Sequence, residues 1–242
     1  MQAWAIATVA VITAATVGAR STLWRVQPES RPLTLIVFFW GFSLCLRWWS
    51  RPQGFRGRIA PEYFTGVLAD VTNVAAACMV FAIVANAWGK QQLVRWVYGI
   101  AALVGMVFFL GLYLFSSDDS ADVDFSTLDG WGTARALLVS GFNLIACCAM
   151  VAVGVHVFRA APHAPKASIV CITLAGVTGT VFTVIRTAAI VDSDWENAYL
   201  ASHYALLLTF LLFLDLAGVV GLMTRLRRRR QSRHREREQV NA

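Results

Sequence analysis

From Leu200 to Thr224 the chain is almost wholly apolar, with one acidic residue, Asp215, and no Lys or Arg. It then turns abruptly into arginine. A helix needs roughly 20 apolar residues to cross the hydrocarbon of a bilayer. There each backbone N–H and C=O must be satisfied within the segment, so a single stretch can cross only as a helix. This one feature commits the chain to a membrane.

Six further apolar stretches precede it, giving seven at roughly 1–19, 33–50, 64–88, 93–115, 132–158, 168–191 and 200–224. The composition agrees: 57% of the 242 residues are hydrophobic and 14% charged, where a soluble domain carries about a quarter charged. The fold class expected is an all-α seven-transmembrane-helix bundle over 1–224, followed by a basic tail at 225–242. All six prolines lie outside the spans or at their edges, which predicts helices without proline kinks. Ala175 and Gly179 repeat small residues at four-residue spacing, which lets helices approach closely.

Charge sets the orientation. With the N-terminus outside, the inner segments hold Arg20, Arg25, Arg31, Lys90, Arg95, Arg159, Lys166 and the eight arginines of the tail. That is 15 of 21 basic residues, which the positive-inside rule assigns to the cytoplasm. Arg51, Arg56 and Arg58 in the loop after the second span run against the rule, and Arg135 falls at the edge of a span. Trp48, Trp49, Trp131 and Trp195 fall at the outer interface, and Trp24, Trp88 and Trp96 at the inner one. No basic residue precedes the first span, so it reads as a retained anchor; Val17-Gly18-Ala19 is a weak cleavage signal. The expected location is the plasma membrane, multi-pass.

Charges inside spans face a bundle interior or a watery cavity. At about 1.5 Å rise per residue, Asp70 lies on the order of 9 Å below the outer end of its span and Arg186 roughly 8 Å. Arg47 is close to the same level, and Asn73 is one turn below Asp70. Arg47, Asp70, Asn73 and Arg186 are therefore the candidate outward-facing pocket for a ligand or ion, with Asp70 expected to pair with Arg186 or Arg47. The alternative is an ion pair that fixes helix register. Asp215 is nearly 20 Å from the outer face, with no Lys or Arg at its depth. Hydrocarbon disfavours the charged form, so a protonatable intramembrane acid is expected, hydrogen-bonded to Thr178 or Thr180.

Several chemistries are disfavoured. The only lysines, Lys90 and Lys166, lie in loops, so no retinal Schiff base can form within the spans. His156 and His203 sit at opposite ends of their spans and cannot share a haem iron. The five cysteines lack metal-ligand spacing. No hydrolase or phosphate-loop motif occurs. Asp122 and Asp124, in the acidic loop at about 116–131, lack the rest of a calcium loop. The sequence therefore implies no enzyme, no cofactor and no metal. Arg225, Arg227, Arg228, Arg229 and Arg230 are expected to lie against anionic lipid. Nucleic acid is disfavoured as a partner, and a protein on the cytoplasmic side is the natural receiver of a signal.

The run Asp70-Val-Thr-Asn73-Val-Ala, and the basic turn leading into Leu174-Ala-Gly-Val-Thr-Gly179-Thr-Val-Phe-Thr-Val-Ile-Arg186, resemble an actinobacterial family of multi-pass membrane proteins grouped as transporters, without an established activity. The resemblance implies an actinobacterial plasma membrane and supplies no substrate. Three functions fit: a non-enzymatic binding or sensing module acting through a partner, a small-solute or ion transporter using Asp215, or a structural interaction protein. The proline-free spans favour the first, because secondary transporters generally use broken helices.

Overall fold

The computed structural model describes residues 2–22, 31–49, 62–107, 130–160 and 166–240. Among them are seven α-helices and no strand: α1 (Gln2–Ser21), α2 (Arg31–Trp49), α3 (Glu62–Ala87), α4 (Gln91–Val107), α5 (Gly130–Ala160), α6 (Lys166–Val191) and α7 (Glu196–Val240). One helix falls on each apolar stretch. Four segments are long and apolar enough to cross a membrane: Gly66–Asn86, Gly132–Ala160, Lys166–Val191 and Ser193–Thr224. Ile6–Ser21 and Arg31–Leu46 are shorter apolar segments. Arg51, Arg56, Arg58 and most of the acidic loop, including Asp122 and Asp124, lie outside the described residues.

Local chemistry sets the boundaries. Pro32 is the second residue of α2, where its missing N–H would have had no helical partner. At the end of α3, Lys90 N–H donates to the Ala85 carbonyl at 2.9 Å and Gly89 N–H to Asn86 at 3.0 Å. That is a Schellman closure, and it needs the left-handed backbone found at Gly89, φ 68°. Between α6 and α7 a single 3-10 turn (Ser193–Trp195) is capped by Asp192, whose carboxylate accepts from Asp194 N–H at 3.1 Å.

Six helices close into a ring in the order α1, α2, α3, α5, α6, α7, with α7 meeting α1 again and also touching α2. α4 lies outside the ring and packs mainly on α3. Residues from the starts of α1, α3, α5 and α7 meet the ends of α2 and α6 at what we call the upper end; the lower end is the reverse. The core runs down the axis through Ile6, Trp40, Ala76, Cys147, Ala175, Phe210 and Leu214. Gly176 brings α6 onto α5: a Cβ there would stand 2.9 Å from the Cys147 carbonyl oxygen. Large apolar side chains stay exposed on the outer faces, among them Trp96, Leu103, Ile145, Val184 and Leu216. Such a surface suits lipid rather than water.

α7 does not stop at the arginine run. It continues as one helix of 45 residues to Val240. The side chains of Arg225 and of 227–230 lie outside the described residues, as does that of Arg47.

Candidate ligand cavity and the buried aspartate

Polar side chains inside the bundle fall into two kinds. Thr173, Thr178, Thr180, Thr183 and Thr187 on α6 each donate to the carbonyl four residues back on their own helix. This satisfies the hydroxyl locally and marks no site. Ser43, Ser168 and Thr13 instead reach across to another helix, and these trace two distinct polar regions.

The upper region is a cavity of about 80 Å³. α1 gives Ile6, α2 gives Trp40, Ser43 and Leu44, and α3 gives Asn73. α5 gives Asn143 and Cys147; α6 gives Phe182, Thr183 and Arg186; α7 gives Tyr199, His203, Tyr204, Leu207 and Phe210. Trp40 anchors one wall. Its indole N–H donates to Asn73 Oδ1 at 2.7 Å, and its ring meets Phe210 edge-on at 4.8 Å between centroids. Tyr199, His203 and Tyr204 form a ring stack on another wall, with centroids 5.0 and 3.8 Å apart. Ser43 donates to the Ala69 carbonyl at 2.8 Å. Arg186 is 5% exposed and Asn143 8%. Asn143 Oδ1 is buried with no hydrogen-bond partner among the described residues.

Of the residues singled out from sequence, Asn73 and Arg186 line this one cavity. Asp70 stands one turn above Asn73 and is not part of the lining. Arg135 Nε lies 3.3 Å from Asp70 Oδ2, and both side chains are largely buried. Arg135 is thus a cation beside Asp70 that the expected pairing with Arg186 or Arg47 did not include. The apolar stretch expected at 132–158 leaves Arg135 at its edge, whereas the helix already begins at Gly130, which carries Arg135 into its second turn. Asn143 and His203 were not singled out as lining residues. Their signal was available: a lone amide in an apolar span, and a histidine among aromatics at the depth of Arg186.

The lower region surrounds Asp215. Thr13 Oγ1 donates to Asp215 Oδ2 at 2.8 Å, and Thr16 on the same face of α1 lies against the same carboxyl group. Asp215 Oδ1 is buried and has no hydrogen-bond partner among the described residues. One turn further, Arg20 Nε donates to Thr34 Oγ1 at 3.0 Å and a terminal nitrogen donates to the Gly218 carbonyl at 2.8 Å. Ser168 donates to the Ala217 carbonyl at 2.9 Å. The expected partners Thr178 and Thr180 spend their hydroxyls on their own helix, so the contact comes from α1 and not from α6. Arg20, counted with the flanking charges, is 5% exposed inside the bundle. The missed signal is the stripe Thr13, Thr16, Arg20, three polar residues on one face of an otherwise apolar helix.

A second cavity, of about 140 Å³, adjoins this lower region and is walled entirely by apolar surface from Leu33, Ile36, Val84, Met150, Ile172, Leu214 and neighbours. A space of that kind stays dry. Among the described residues no three His, Cys, Asp or Glu side chains gather as a metal site.

No family model, no curated protein and no solved structure matches this chain.

Proposed function

We propose that the chain is a seven-span plasma-membrane protein, N-terminus outside and C-terminus cytoplasmic, that binds a small ligand from the outside and acts through a cytoplasmic partner without catalysis. The upper cavity carries this reading. There an arginine, two asparagines and a histidine surround empty space inside a largely apolar ring. Small-molecule sites have this character: mostly apolar walls with a few convergent polar groups. The distribution of basic residues supports this orientation, in which the cavity lies at the outer end.

Topology is tested by single cysteines in a cysteine-free background. One at Glu196 is expected to react with an impermeant reagent on intact cells, and one at Ala242 only after permeabilisation. Binding is tested by thermal melting of the detergent-purified full chain against small anionic, cationic and neutral solutes. At least one class is expected to stabilise it. If no class does, the ligand-binding reading is wrong.

The open oxygen of Asp215 favours a second reading, proton-coupled transport. It requires solute flux in proteoliposomes whose pH dependence disappears in Asp215→Asn. Absence of any flux removes it. A purely structural role predicts neither flux nor ligand response.

A further inference from the structure

We propose that the lower cavity takes a medium-chain fatty acid, an alkyl chain of about eight carbons ending in a carboxylate. The site is separate from the upper cavity and does not rest on that cavity's ligand. Size and polarity come first. The space is about 140 Å³ and its walls are wholly apolar. A cavity of about 150 Å³ lined in the same way accepts benzene, so about six carbons fit here. Leu33, Val84 and Val157 lie within three residues of the lower ends of their helices and are half-buried. Ile36, Val80, Met150 and Leu214 are buried and belong to the main core cluster. The space therefore reaches the lower end of the bundle and closes against packed side chains above it. From Val157 to Met150 along α5 it is about 10 Å deep.

Charge at the same end selects the head group. Lys166 begins α6, three residues before Ile169 of the lining. Its ammonium stands 5.3 Å from the centre of the Phe158 ring, the residue after Val157. Arg159 follows one residue later. Lys90 is held at the end of α3, where its N–H donates to Ala85, the neighbour of Val84. Lys90, Arg159 and Lys166 are all exposed. Among the described side chains of the lower half Asp215 is the one acid, and it is 2% exposed. The field at this end is positive and attracts an anion.

Bilayer hydrocarbon dissolves an alkyl chain as well as an apolar cavity does. The gain lies in filling a void whose lining otherwise lacks contacts. A phospholipid is poorly shaped for that. Its chain ends lie near the bilayer centre, on the order of 15 Å from the helix ends. A chain entering from its head-group side meets the closed top after about six carbons. A free acid of about eight carbons puts six in the cavity and leaves its carboxylate among the basic side chains.

The test is melting of the full-length chain in nanodiscs of zwitterionic phosphatidylcholine at mildly alkaline pH. The ligands are octanoate, octanol, octylammonium and hexadecanoate. Octanoate is expected to raise the melting temperature by several degrees. Octanol, with the same chain and no charge, is expected to bind about tenfold more weakly. Octylammonium and hexadecanoate are expected to give no shift. Val84→Phe fills the space from its lower end, and Val153→Phe fills it from α5. Each is expected to melt at or above the parent without ligand and to lose the octanoate shift. Lys166→Gln with Arg159→Gln changes only exposed side chains. It is expected to bring octanoate down to octanol and leave octanol unchanged, and it stands as the test if the filled variants do not fold. Octanol or octylammonium matching octanoate in the parent overturns the anionic head group. Hexadecanoate matching octanoate overturns the chain length and points to a bilayer lipid instead. No octanoate shift in the parent, or the same shift in a folded filled variant, overturns the site.

Discussion

The two polar regions of the bundle differ in what their side chains hold on to. At the lower end, Thr13, Arg20, Thr34 and Ser168 tie α1, α2, α6 and α7 together, and the space beside them is apolar. At the upper end, Asn73, Asn143, Arg186 and His203 border a hollow, and Asn143 Oδ1 has no hydrogen-bond partner among the described residues. In a medium without water, a polar group is tolerated when it is bonded or when it faces a space that can bring a partner. The first condition builds stability, the second a site. The depth of a polar residue in its span does not separate the two; its bonding does.

Substitutions can break this contrast. The largest effect belongs to the floor between the two regions: Gly176→Leu drives a side chain into the Cys147 carbonyl and Val151 and is expected to separate α5 from α6, at about 3 kcal/mol or more in a reversible unfolding titration. Next is Arg20→Leu, which removes two charge-assisted hydrogen bonds from a buried arginine. A loss of about 2–3 kcal/mol is expected, with no change in ligand response. A double-mutant cycle on Asp70→Asn and Arg135→Gln should report coupling of about 1–2 kcal/mol, since the pair is largely buried but its 3.3 Å contact is looser than ideal. Asp215→Asn keeps an acceptor for Thr13 and should change stability by less than about 1 kcal/mol. Asn143→Leu sits at the far end of the series: little or no loss of stability, because an unmatched polar atom is removed, and loss of ligand stabilisation. A strong stability loss in Asn143→Leu, or a lost ligand response in Arg20→Leu, would erase the distinction between the ends.

The helices were legible because hydrophobic length alone dictates them. Each apolar stretch became one helix, and Gly89 and Pro32 fall where the backbone needs them. Depth counting was enough to bring Asn73 and Arg186, which line one cavity, within about a turn of each other. It could not choose neighbours. Which helix faces Asp215 depends on how the ring closes, and α1 lies next to α7 although nearly the whole chain separates them. Nor could depth show that the α6 threonines turn back on their own backbone, while Thr13 and Ser168 reach outward. Arg20 and Arg135 were misjudged for one reason: a charge near the end of an apolar run reads as flanking, and the helix extended far enough to carry it inside.

The unbroken length of α7 gives the molecule a lever arm. Its upper end carries Tyr199, His203 and Tyr204 on the cavity wall, and the same helix runs on to Val240. At 1.5 Å per residue the distance from His203 to Val240 is about 55 Å, well beyond the roughly 30 Å of bilayer hydrocarbon. A tilt of about 5° at the cavity therefore swings the far tip by about 5 Å, roughly the pitch of one helical turn. In the proposed sensing role, a displacement of one side chain's width around a solute would become a movement of several ångströms at the arginine-rich end.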